Sequence, residues 1–147
     1  MILEGSNLQI RVKVNYISAE RFWEQEQSVP GGINISTNIN IIGMEHKGEE
    51  LSVPFVATIA YNPSIAQINL KGQAVLAGGP EELEQMKKDY EGKKAPPSAL
   101  LQAITNTSLI EATVISRTIN VIPPIPLPPI QTAPAPKSDK ERLNYVG

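Results

Sequence analysis

The sequence predicts an α+β fold: a four-stranded antiparallel sheet with two helices on one face and an extended proline-rich C-terminal segment. Three observations carry this. Apolar and polar residues alternate through four segments before Gly78, the spacing turns helical after Gly78-Gly79, and the chain leaves the last helical segment through a run of prolines ending at Ile130. Short turns between the later strands favour antiparallel pairing.

The first strand is read from Leu8, Ile10, Val12, Val14 and Tyr16, which alternate with Gln9, Arg11, Lys13 and Asn15. The second follows the turn-forming Pro30-Gly31-Gly32, with Ile33, Ile35, Thr37, Ile39 and Ile41 on one face and Asn34, Ser36, Asn38 and Asn40 on the other. Gly43 to Gly48 is read as a turn. Leu51, Val53, Phe55, Ala57, Ile59 and Tyr61 share one face of the third strand, in which Pro54 predicts a sheet edge or a bulge because it cannot donate to a ladder. After the turn signal Asn62-Pro63-Ser64, Ile68, Leu70, Ala74 and Leu76 define the fourth.

The long connection, Ile17 to Gly32, has no period and is expected to be a packed or functional loop. It holds Phe22 and Trp23. Neighbours in an extended chain point opposite ways, so only one of the two enters the core easily. Either the other is an exposed anchor for a partner, or both cover a sheet edge.

Pro80 suits the first position of a helix, Glu81, Glu82 and Glu84 suit its positive end, Lys87 and Lys88 its negative end, and Gly92 its close. Leu83, Met86 and Tyr90 form its apolar stripe. A second helix opens near Pro97 or Ser98, with Leu101, Ile104, Ser108, Ala112, Ile115 and Ile119 at 3 and 4 spacing. Its Thr, Ile and Val content leaves a strand as the alternative; length and the lack of strict alternation favour helix.

A chain of 147 residues, 41% of them hydrophobic, fits one domain, taken as residues 1–131, with 132–147 as a flexible charged tail. A net charge of −2 without a cluster of Lys and Arg argues against direct nucleic-acid binding. The chain has no cysteine, hence no disulfide and no thiolate ligand or nucleophile. No apolar run approaches the roughly 20 residues that span a bilayer, and Met1 to Gly5 lacks the basic start of a signal peptide, so no membrane insertion and a cytoplasmic location are expected.

Groups that could make or break bonds do not converge. His46, the only histidine, has neither a second imidazole nor a thiolate to complete a metal site, and no serine sits in a nucleophile elbow. The pairs Glu49-Glu50 and Glu81-Glu82 are explained by a solvated turn and a helix N-terminus. The glutamates that follow Gly78-Gly79 would repel a phosphate there. Pro123-Pro124-Ile125-Pro126 fits the P-x-x-P pattern, but its apolar neighbours and missing basic flank favour docking on its own domain. No catalytic residue, cofactor or metal is therefore expected.

Taken in order, these elements resemble the SecB-type export chaperones. The resemblance rests on Phe22, Trp23 and Pro30 ahead of Ile33, on Lys71 to Gly78 with its small residues, on Glu81-Glu82-Leu83, on Pro96-Pro97 before Leu100 to Ile104, on Glu111-Ala112 and Arg117, and on the Pro123 to Pro129 run. It covers roughly residues 8 to 130. The C-terminal stretch Asp139 to Gly147 lacks the zinc-binding cysteines and histidine that many bacterial members use to engage the translocation motor, so the resemblance leaves that coupling open.

The resemblance implies a holdase that needs no nucleotide or metal. Its partners would be unfolded or partner polypeptides, and it would be a homo-oligomer, a dimer or tetramer. Clients would lie where the crossover meets the long helix, with Phe22, Trp23, Leu100, Leu101, Ile104 and Ile115 as contacts, since aromatic and aliphatic anchors dominate such binding. The alternative is a non-enzymatic subunit of a larger protein or ribonucleoprotein assembly, its apolar surface permanently covered.

Overall fold

Five strands, not four, form the sheet. The structure is a computed structural model and describes residues 8–24 and 32–125. In chain order the elements are β1 (Gln9–Arg21), β2 (Asn34–Ile41), β3 (Glu45–Lys47), β4 (Glu50–Asn62), β5 (Ala66–Ala77), α1 (Pro80–Glu91) and α2 (Ser98–Thr118). All pairings are antiparallel, in the order β1-β5-β4-β2, and β3 pairs with β4 beyond the end of β2. The fifth strand is three residues of the expected 43–48 turn, folded back on Glu50 to Ser52 around Gly48, whose φ is +64°.

The α+β class is as expected, and the sheet is two-faced as the alternation requires. Leu51, Val53, Phe55, Ala57, Ile59 and Tyr61 of β4 and Ile68, Leu70, Ala74 and Leu76 of β5 are buried in one core. Leu83 and Met86 of α1 and Leu100, Ala103, Ile104 and Ala112 of α2 close the same core. Across the opposite face runs an uncharged row, Asn38–Thr58–Asn69–Ser18, in which the Thr58 hydroxyl donates to Asn69 Oδ1 at 3.2 Å.

β1 is longer than its sequence pattern. A bulge between Val14 and Tyr16 leaves Asn15 unpaired and shifts the alternation by one, so that Ile17 and Ala19 return to the core side opposite Leu70 and Ile68. The strand therefore continues to Arg21, and five residues of the expected loop belong to the sheet. Gly72 faces the bulge: a Cβ there would collide with the Lys13 carbonyl oxygen and lie 3.0 Å from Val14 Cα.

Pro54 lies in a central strand, not at an edge. Its carbonyl accepts from the Ile42 amide at 3.0 Å, just past the last β2–β4 pair, Ile41–Phe55. A strand residue turns its N and O to the same side, so the missing N–H points to where β2 has left the ladder and β3 has not begun.

Both helices end in Schellman turns. Gly92 closes α1 as its C-cap, the residue after it, Lys93 (φ 63°), is left-handed, and the Lys94 and Lys93 amides donate back to Asp89 and Tyr90. In α2 the left-handed residue is Asn120 (φ 59°), with the Val121 amide donating to Ser116. Val121 then packs on the core, which fixes the direction in which the chain leaves. The proline-rich segment is described only to Ile125; the rest of it, and the tail 132–147, lie outside the described residues.

Candidate functional site

β2 ends the strand order, and its apolar row is incompletely covered. Ile33, Ile35, Ile39 and Ile41 are half-buried against the core, and Thr37, which shares their face by alternation, is exposed. α2 packs more extensively against β1 than against β2. A channel is left along the helix side of β2, and among the described residues no strand pairs with its outer edge.

At the Ile41 end this channel opens into a cleft of about 560 Å³ between β2 and the connection of the two helices. Ile39, Ile41, Pro96, Leu101 and the ring of Tyr90 give it apolar walls, and Glu91, Lys93 and Lys94 line it with charge. The Schellman turn places the two lysines, since the reversal at Lys93 swings the chain back from α1 toward Pro96. All of its charged lining residues come from the end of α1 and the turn that follows it.

At the other end, Arg21 and Phe22 together tie the end of β1 to two other stretches. Its guanidinium donates to the carbonyls of Trp23, at 2.9 Å, and Asn120, and the Phe22 amide donates to Ile65 O at 2.8 Å. The Tyr61 hydroxyl donates to the Ile122 carbonyl. Burial pushes that phenol from 10 up to about 12.

The residues named from sequence fall in different places. Trp23 packs against the core while Phe22 is 50% exposed, the opposed pointing expected of neighbours. Leu101 lines the cleft, and Ile115 is half-buried on the core. Leu100 and Ile104 are fully buried and hold α2 to the sheet. The sequence reading did not single out Ile39, Ile41, Tyr90 or Pro96. Their alternation and stripe positions marked Ile39, Ile41 and Tyr90 as core-facing, but only the strand order reveals that the core stops short of them. His46 is exposed and meets Glu84 of α1 at 3.0 Å.

No protein-family model matches the sequence, and no curated protein matches it. No helix among the described residues is long and apolar enough to cross a membrane. The fold is similar to that of a solved SecB-like chaperone from Mycobacterium tuberculosis, in complex with a ChAD peptide from the HigA1 antitoxin. The TM-score is 0.52 at 12% identity, over 82% of this chain and 89% of that one. The architecture of this chain is therefore SecB-like.

Proposed function

We infer that this protein is a polypeptide-binding chaperone that holds non-native segments in extended form along β2 and in the cleft beside α2, without nucleotide or metal. The observation that carries the reading is the cleft, in which aliphatic side chains and a tyrosine ring lie open at the end of an uncovered strand face. The outer edge of β2, with which no strand pairs among the described residues, offers backbone groups to which an extended client can hydrogen-bond, while alternate client side chains enter the channel. The SecB-like fold, in a neighbour solved with a peptide, supports the same class of partner. Leu101 and Ile115 remain contacts in this reading, Phe22 and Trp23 flank the far end, and Leu100 and Ile104 act only by packing.

The test is suppression of aggregation of several unrelated denatured proteins, with Leu101→Asp and Ile39→Asp as variants. Suppression by the parent chain and its loss in folded variants is the expected result. Indifference to every client would reject the reading.

A second surface favours self-association. Tyr16 and Ile17 of β1 and Ile110 and Val114 of α2 are 47%, 37%, 57% and 62% exposed, and they lie along β1, which ends the strand order among the described residues. The expected state is a homo-oligomer joined there, a dimer or tetramer; light scattering that gives a monomer mass would exclude it.

A further inference from the structure

The channel along β2 has a potential occupant within the same chain. Tyr61, which pairs with Ile35, holds the Ile122 carbonyl, so the exit from α2 is anchored on the helix side of the sheet at the Ile35 end of β2. Val121 packs on the core and Ile125 is half-buried, so the described chain is still against the body where it ends. From Ile35 the cleft walls at Ile39 and Ile41 are about 13–20 Å away at ~3.3 Å per strand residue. Residues 123–130 reach about 25 Å as polyproline II, at ~3.1 Å each.

The composition of that segment also fits. Pro126, Pro128 and Pro129 lack the N–H needed to join β2 as another strand, which suits the segment to the face of β2 better than to its edge. The three-residue period of a polyproline turn would put Leu127 and Ile130 on one side. One apolar row would then meet another across exposed Thr37.

We propose that the chain's own segment, residues 123–130, lies in the β2 channel and fills the cleft, with Leu127 and Ile130 against Ile39, Ile41 and Leu101. Granted the chaperone reading above, on which this consequence rests, the segment is an internal competitor that clients must displace. Apparent client affinity is then weakened by the fraction of time the cleft is free.

The chain has no cysteine, so introduced pairs report the contact directly. In the full chain carrying Lys94→Cys and Gln131→Cys, a short bismaleimide is expected to give an intrachain cross-link, and Lys13→Cys with Gln131→Cys none. No cross-link, or one that joins two chains, overturns the proposal, the latter assigning the cleft to a second copy. Next, full-length Leu127→Asp/Ile130→Asp is expected to bind a fluorescein-labelled, reduced and carboxymethylated unfolded protein about tenfold more tightly than the parent, as for a cleft free about a tenth of the time. Equal affinity of the two chains overturns the competition. If neither chain binds the probe while the intrachain cross-link forms, the chaperone reading fails and the docked segment stands.

Discussion

The Tyr61 hydroxyl donates to the carbonyl of Ile122, joining the sheet's central strand to the segment that leaves α2. Tyr61 is only 2% exposed whereas Ile122 is 49% exposed, so the bond is part-buried and its loss leaves a carbonyl that water can reach. Tyr61→Phe is expected to lower unfolding stability by about 0.5–1.5 kcal/mol in urea titrations. Above pH 10 the unfolded chain releases this phenolic proton, whereas the folded chain holds it until about 12. Stability therefore falls as pH rises through that window, by at most about 1.4 kcal/mol per pH unit for one proton. Tyr61→Phe should remove this part of the slope; an unchanged slope would show that the phenol is not shielded.

Gly72→Ala is expected to destabilise by about 1–3 kcal/mol or more, because backbone, not a flexible side chain, occupies the space of the new methyl. Amide exchange should locate the damage in β1 and β5. Uniform protection across both strands would mean that the bulge at Asn15 absorbs the methyl.

Adjacent leucines of α2 are expected to separate folding from binding. Leu100→Ala empties a fully buried position and should cost about 2–5 kcal/mol. Leu101→Ala, at a half-buried cleft wall, should cost clearly less while weakening binding of an unfolded probe several-fold. Equal stability losses with no binding difference would place Leu101 in the core.

Lys93 holds a left-handed conformation that glycine adopts without strain, so Lys93→Gly is expected to raise stability by about 1 kcal/mol, read as a higher melting temperature. Lys93→Val, branched at Cβ, should lower it. The reverse order would contradict the Schellman turn.

Phe22→Ala should change stability by less than about 0.5 kcal/mol because half of that ring already meets water. Trp23→Ala should cost more, since its ring packs on the core.

Strand faces were legible because burial on one side imposes a two-residue period, and α1 was legible through Pro80 and its charged ends. The Asn15 bulge hid the second half of β1, since one inserted residue exchanges the faces and mimics loss of pattern. Gly92 marked the close of α1, but the left-handed turn falls one position later, on Lys93, a residue type that carries no signal for it. The cleft was the least legible part. Leu100, Leu101 and Ile104 are alike in sequence, and what separates a core leucine from a cleft wall is how far α2 stops from β2, a distance no local pattern encodes. Ile39 and Ile41 carry the same alternation as buried residues of β4, and only their place at the end of the strand order leaves them half-covered.

The row Asn38–Thr58–Asn69–Ser18 gives the outward side of the sheet a particular character. Amides and hydroxyls stay hydrated at any acidity or ionic strength, and along this row they present no net sign to attract or repel a neighbour. Charge on that side is set toward the β1 edge, where Arg11, Lys13 and Lys71 share the face with the Tyr16 ring, so a neighbour drawn by charge meets the outward side there and not along the row.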